Sequence, residues 1–315
     1  MQFMLFVGAF FPGLLLVDFM PPSDELLAEF LVFQSATCVV ASLKVYLYAI
    51  RAFVKEQGYE FKPWRERYAV YSTVMGLKRL FGDETSQKLA VTPELLLKFC
   101  CFINPSDFCG VMLWGSFLVA FFGLFRKDNI TVGKASAFNP RANLTVGDFT
   151  DDGEDVVWVR VNHSKVIQFG QRSHWVPLVA MEDHPLCPVS AVRKVLALHA
   201  SMGSSPDAPM FLWRRGNSRK VSPMTHSVFV GEFKSLVTRV GLDWKAYAGH
   251  SFRRGGATYC FNLGVCPDLI KMLGDWKSDA YLLYDETTVA RRLELPRAMV
   301  EAISNGILHH GPRLV

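Results

Sequence analysis

The chain has 315 residues, of which 50% are hydrophobic, 20% charged and 13% aromatic. This composition excludes a disordered or low-complexity protein and leaves room for about two domains. Glycine and proline are scattered without a period, and no internal repeat is present, which excludes collagen-like and solenoid architectures. The net charge of +5 is uneven. Residues 1–92 carry nine basic and nine acidic side chains, so the remainder holds the whole excess, which permits an anionic partner without demanding one.

Residues 1–17 are apolar but lack a basic leader and are broken by Pro12 and Gly13, so they make a poor signal peptide. Ser23 is a candidate N-cap for a helix presenting Leu26, Leu27, Phe30 and Leu31 on one face. Ser42 is expected to open a second helix, with Leu43, Leu47, Ile50 and Val54 at helical spacing and Gly58 as its stop. A third is expected from about Trp64 to Leu80, ending near Gly82. Residues 83–91 read as a linker, and Thr92-Pro93 as the N-cap and first-turn proline of the next helix. The chain is therefore divided there, into 1–86 and 92–315.

The second part is mixed. Helices are expected at Pro93–Ile103 and Phe108–Arg126. Residues 108–125 contain no charge, so this stretch reads either as a membrane span or as a helix buried on all sides. The β-rich runs 156–166 and 173–179 predict a hairpin. Cys187-Pro188 opens a helix to about Ala200, and helices follow at about 226–240, 249–264, 267–273 and 286–304. The loop 213–220 holds four cations in eight residues, among them Arg214 and Arg215, and suits either solvent or phosphate. The seven cysteines include no CxxC pair, so neither a zinc site nor a disulfide framework is indicated; reduced, mostly buried thiols are expected. The fold class is thus mainly α with a small antiparallel β-sheet.

The stretch that carries chemistry is 249–288, GHSFRRGGATYCFNLGVCPDLIKMLGDWKSDAYLLYDETT. His250 and Arg253 share one helical face. Gly255-Gly256 would cost a helix interior about 1 kcal/mol per glycine, so the pair signals close approach of another backbone or a ligand. A GDW triplet and a tyrosine follow, with Tyr284 lying 31 residues after Arg253. This ordered set resembles the tyrosine recombinase (phage integrase) family, whose pattern is His-x-x-Arg, Gly-x-His/Trp and a nucleophilic tyrosine. The wording HSFRRGGATY and LGDWKSDAYLLY is most similar to recombinases of eukaryotic DIRS- and Crypton-type mobile elements.

The resemblance extends upstream. It offers Arg126 in FFGLFRKDNI as the first active-site arginine, and on that basis 108–125 is read as a buried helix. It offers Lys165 on the hairpin as the catalytic lysine, with His163, on the same side of the strand, as second choice. Residues 1–86 resemble the family's helical core-binding domain, most clearly in SLKVYLYAIRAF, and 92–315 its catalytic domain. The chain opens within what resembles the first helix of the core-binding domain, which suggests N-terminal truncation. Tyr284 stands eight residues after Trp276, where nine is commoner in bacterial members, so Tyr281 stays a competitor.

What the resemblance implies is DNA cleavage and rejoining through a 3′-phosphotyrosine, with no metal and no cofactor. A phenol ionises near pH 10, so about one in a thousand is ionised at neutrality and Tyr284 needs help. Arg126 and Arg253 suit the non-bridging phosphate oxygens because a guanidinium donates two parallel hydrogen bonds. His250 can donate to phosphate or accept the tyrosine proton, Trp276 offers an N–H and a packing surface, and Lys165 would protonate the leaving 5′-oxygen. Double-stranded DNA is the implied partner, held largely through phosphates, with Lys44, Arg51 and Lys55 as a basic helix face and Arg214 and Arg215 as loop contacts. The C-terminal helix, containing Pro296, resembles the segment that links protomers into a homotetramer on two DNA sites. A eukaryotic element would need the nucleus; otherwise the protein would be soluble and intracellular. The competing readings are a domesticated, non-cutting DNA-binding protein, a type IB topoisomerase, and a membrane protein built around 108–125.

Overall fold

A computed structural model describes residues 2–10, 19–82, 87–163, 173–216 and 220–285, and single positions between 296 and 304. The chain divides into two compact units, Met1–Gln87 and Lys88–Val315.

The first unit is helical: α1 (Gln2–Phe10), α2 (Asp24–Ser35), α3 (Val40–Glu56) and α4 (Tyr68–Phe81). Ser23 caps α2, its hydroxyl accepting from the Leu26 N–H at 3.2 Å. Val39, three residues before the expected Ser42, is the N-cap of α3 and supplies no side-chain cap. Trp64–Glu66 is a separate 3-10 turn before α4, so the third expected helix is two pieces. Gly58 and Gly82, which follow α3 and α4, have φ of 87° and 76°, a region open mainly to glycine. The core joins Leu27, Phe30 and Leu31 to Leu43, Leu47, Val54, Val70 and Val74, the stripes the helical period marks.

The second unit contains α5 (Pro93–Cys100), α6 (Phe108–Phe122), α7 (Lys127–Ile130), α8 (Pro188–Met202), α9 (His226–Arg239), α10 (Ser251–Asn262) and α11 (Pro267–Leu273). Strands β1 (Phe149–Asp151), β2 (Val156–Val161) and β3 (His174–Val179) form one antiparallel sheet, with Val157 opposite Leu178 and Val159 opposite Val176. β4 (Leu212–Arg214) and β5 (Val221–Pro223) form a second, so part of the expected basic loop is paired strand. α6 is central. Met112, Phe117, Leu118 and Val119 are wholly buried, and Phe117 meets Phe229, Phe233 and Phe252 at ring distances of 5.2, 6.0 and 4.7 Å. Among the described residues, no helix is long and apolar enough to cross a membrane. All seven cysteines are unpaired, but Cys187 is the one buried; Cys101 and Cys266 are exposed and the others intermediate, which corrects the expectation of mostly buried thiols.

The glycine pair explains how α10 sits. A Cβ on Gly255 would lie 1.9 Å from the Val91 carbonyl oxygen, and one on Gly256 2.3 Å from that of Phe121. Backbone, not ligand, is what approaches. The segment before α5, expected to be a linker, is docked: Leu89 N–H donates to the Ala246 carbonyl at 2.8 Å and Val91 N–H to that of Ser251 at 2.9 Å. Helix propensity alone would make Gly255→Ala stabilising by about 1 kcal/mol. The packing reverses the sign: urea denaturation is expected to show a loss of about 2–3 kcal/mol.

His199 sets a pH dependence of stability. It is 2% exposed, with Nδ1 2.9 Å from Ser204 Oγ and Nε2 2.9 Å from the Met210 carbonyl oxygen. The carbonyl can only accept, so Nε2 carries the proton and Nδ1 accepts from the serine, a neutral imidazole. Burial pushes its pKa below the ordinary histidine value, although the Met210 hydrogen bond opposes this. The unfolded chain therefore binds a proton first as pH falls. Stability is full above about pH 6.5 and is lost as pH drops through that value, at up to about 1.4 kcal/mol per pH unit until the folded form also protonates. Thermal melts between pH 7.5 and 5.5 should show this slope, and His199→Gln should reduce it, leaving the part that His226 and His250, also held below the ordinary value, supply.

Candidate active site

α6 ends at Phe122, four residues short of Arg126, which corrects the expected helix end. Leu124 then adopts φ 52°, a left-handed turn that is costly for a branched side chain. The chain swings out of the helix axis, and Arg126 becomes the N-cap residue of α7, its N–H donating to Asn129 Oδ1 at 3.2 Å. Its half-buried side chain lines a cavity.

Arg253, on α10, is 3% exposed. Its Nη1 donates to the Leu124 carbonyl and its Nη2 to the Gly274 carbonyl, the latter at 2.7 Å. Its guanidinium carbon lies 3.6 Å from the centre of the Trp276 ring. One buried cation therefore holds two left-handed corners, since Asp275, next to Gly274, has φ 51°. Burial brings its pKa down to about 9 and Arg126 adds to this, while Tyr284 and Asp275 act the other way. It is still charged at neutral pH. Two of its five N–H groups are spent on the carbonyls, which leaves three for Tyr284 and a ligand.

Tyr284 closes a 3-10 turn, Asp279–Tyr284, and its carbonyl accepts from Thr258 Oγ1 at 2.7 Å. Its half-buried ring lies edge-on to Trp276 at 6.0 Å. Tyr281 is different. It is 4% exposed and stacks on Phe261 at 6.2 Å, inside a small core with Ile270 and Trp276.

These side chains meet at a cavity of about 480 Å³ lined by Arg126, His250, Arg253, Trp276 and Tyr284, together with Lys88, Arg254, Lys277, Ser278, Ala248 and Ala280. Five of its lining residues are lysine or arginine and none is a carboxylate, a composition suited to a polyanion. His250, at the N-cap of α10, is exposed at the rim. Desolvation of its inner side lowers its pKa; Asp128 opposes this, and Lys127, Arg126 and Arg253 add to it, so the neutral imidazole prevails at pH 7. Asp128 pairs with Lys127 and lies 3.2 Å from His226 Nε2. Burial alone would raise the Asp128 carboxyl, but Lys127, His226 and His250 bring it below the ordinary value. Among the described residues, no group of histidine, cysteine and carboxylate side chains could hold a metal ion.

The structure does not bring every expected residue to this cavity. Lys165 lies outside the described residues, as does most of the C-terminal helix with its expected kink; Pro296 itself is helical. His163 is exposed and does not line the cavity. Arg214 sits beside the start of α6, 3.8 Å from Asp107 Oδ1 and over the Phe108 ring at 5.0 Å. That is the far end of α6 from Arg126, about 20 Å away at the helical rise. Arg215 is exposed nearby. Lys44 and Arg51 are half-buried on α3 and Lys55 is exposed; Arg51 Nε is buried without a hydrogen-bond partner among the described residues. Sequence reasoning missed Lys88, Arg254 and Lys277. Arg254 and Lys277 directly follow residues it had singled out, and Lys88 falls in the stretch read as a linker, its Nζ donating to the Lys245 carbonyl at 2.8 Å.

No protein-family model matches the chain, and no curated protein does. Solved structures do. The integrase of transposon Tn1549 in complex with transposon right end DNA is similar over 96% of this chain and 91% of that one, at 14% identity and a TM-score of 0.56. XerH site-specific recombinase in a post-cleavage complex with palindromic difH substrate is similar over 95% and 76%, at 15% identity and a TM-score of 0.61. A lambda integrase tetramer bound to a Holliday junction is similar over 90% and 70%, at 16% identity and a TM-score of 0.52. The chain has the tyrosine recombinase fold. Identities this low speak to the fold; what this chain does with it rests on the cavity.

Proposed function

We propose that the protein is a site-specific DNA recombinase or transposase of a mobile element, cutting and rejoining double-stranded DNA through a 3′-phosphotyrosine on Tyr284. The observation that carries this reading is the convergence of Arg126, His250, Arg253, Trp276 and Tyr284 on one cationic cavity from four separate stretches of chain. The likeness in fold to recombinases solved with DNA supports it.

In this mechanism the scissile phosphate enters between Arg126 and Arg253, whose remaining N–H groups face the two non-bridging oxygens. Negative charge grows there in the transition state, inside a site already arranged to receive it. Neutral His250 accepts the phenol proton as the Tyr284 oxygen bonds to phosphorus. The bond from phosphorus to the 5′-oxygen breaks, and Lys165 supplies the proton that makes the 5′-hydroxyl. Attack by a 5′-hydroxyl on the phosphotyrosine reverses these steps and reseals the strand. Residues 1–86 serve as the core-binding domain, with Lys44, Arg51 and Lys55 toward DNA phosphates, and Arg214 and Arg215 contact DNA away from the cut. The C-terminal helix joins four protomers on two DNA sites. The wording around the motif points to an element of the DIRS or Crypton kind, acting in the nucleus.

The test is covalent capture. Purified protein is incubated with labelled nicked duplex and with supercoiled plasmid, then denatured. Label is expected to migrate with the protein without added metal or nucleotide; DNA binding without any adduct would count against cutting.

A further inference from the structure

The cavity wall holds a third guanidinium that the mechanism above does not use. Arg254 follows Arg253 on α10, and consecutive helical residues point about 100° apart, so the two reach different places. Arg253 turns inward to the Leu124 and Gly274 carbonyls and meets the Tyr284 phenol by a side-chain hydrogen bond. Half-buried Arg254 faces the phenol ring itself, its guanidinium carbon 5.8 Å from the ring centre. That is within reach of a cation–π interaction. One helical turn further on, Thr258 holds the Tyr284 carbonyl at 2.7 Å. A single face of α10 thus grips the tyrosine at ring and backbone, while Trp276 closes its other edge.

We propose that Arg254 is a positioning residue for Tyr284: its guanidinium holds the phenol in the cavity and favours the negative charge that spreads over the ring as the hydroxyl loses its proton. This rests on the reading of Tyr284 as nucleophile. A phenolate delocalises its charge into the ring carbons, so a cation beside the ring acts on the ionised form more than on the neutral one. Arg126, His250, Lys88 and Lys277 line the same cavity, Asp275 adjoins Trp276 and Asp285 follows Tyr284; none of these side chains is altered in the Arg254 variants.

The experiment compares Arg254→Gln and Arg254→Lys with the wild type in adduct formation on nicked duplex between pH 6 and 10. Arg254→Gln is expected to be slower by about tenfold at pH 7 and to recover as pH rises, its profile displaced upward by about one unit, while DNA affinity in gel shifts falls by only about two- to threefold, as loss of one cavity cation predicts. Arg254→Lys should restore most of the rate. An equal loss at every pH, or an unmoved profile, would overturn the proposal. A second measurement is independent of cleavage. In protein labelled at tyrosine Cζ with carbon-13, the Tyr284 signal is assigned by its absence from Tyr284→Phe, and its chemical shift at pH 7 should move in Arg254→Gln and return most of the way in Arg254→Lys. An unmoved signal overturns the contact between guanidinium and ring. A moved signal in a protein that forms no adduct sustains the contact and counts against strand cleavage instead.

Discussion

Tyr284→Phe is expected to abolish transfer of label from DNA to protein, a loss of at least about 10⁴-fold, while Tyr281→Phe still forms the adduct. The two tyrosines lie in one 3-10 turn, and spacing from Trp276 does not separate them. Their surroundings do. Tyr284 lines the cavity beside Arg126, His250 and Arg253, and removing its hydroxyl removes the only atom that can bond to phosphorus while leaving its ring against Trp276. Tyr281 is packed between Phe261 and Trp276, so phenylalanine preserves what it contributes. Tyr281→Phe should therefore shift the melting temperature little and keep most of the rate. The reverse outcome, an adduct lost in Tyr281→Phe and kept in Tyr284→Phe, would mean that the turn rearranges on DNA to expose the buried ring, and the assignment of the nucleophile would be wrong.

Arg253 carries the second large effect, and it falls on both stability and chemistry. Arg253→Ala leaves the carbonyls of Leu124 and Gly274 without their donor and opens space against Trp276. A buried acceptor left unmade costs about 1–3 kcal/mol and truncation of a packed side chain adds to it, so a destabilisation of about 4 kcal/mol is expected. Arg253→Lys separates the two roles. The ammonium keeps the charge but cannot present the planar fork that serves two carbonyls and a phosphate together. Chemical denaturation of this variant should show a loss of about 2 kcal/mol, and strand cleavage should fall by about 100-fold or more with DNA affinity nearly intact. Cleavage that survives in Arg253→Lys at near the wild-type rate would assign this arginine to the scaffold alone.

Much of the scaffold is written in short-range terms. The hydroxyls of Ser23 and Thr92 accept from the N–H groups three residues on, and Pro93 enters at the first turn, because a capping oxygen and a missing N–H act within one turn of the chain. The stripe of Leu43, Leu47, Ile50 and Val54 follows the helical period and lies in the core. Gly255-Gly256 announces a close approach from its propensity cost alone, although that Val91 and Phe121 make the approach is a fact of the tertiary structure. Strands β1, β4 and β5 are three residues each, too short for alternation to register, and exist only through their pairing partners.

The sequence by itself determined the residue types of the site and their order, since His-x-x-Arg on one helix face, the GDW triplet and the tyrosine are local patterns. Which of those residues meet, and how, is decided by the tertiary structure. Arg126 reaches the cavity because Leu124 turns left-handed under a hydrogen bond from an arginine 129 residues further along. Tyr284 rather than Tyr281 faces the cavity because Phe261 and Trp276 offer one tyrosine an apolar slot, and the other is left beside the cations. Lys88, Arg254 and Lys277 join them only in the folded chain, Lys88 through its bond to the Lys245 carbonyl and Arg254 beside the Tyr284 ring. Helix caps and hydrophobic stripes are fixed by neighbours within a turn or two, whereas a charged cavity is assembled from segments far apart in the chain, and its geometry exists only once the core has closed behind it.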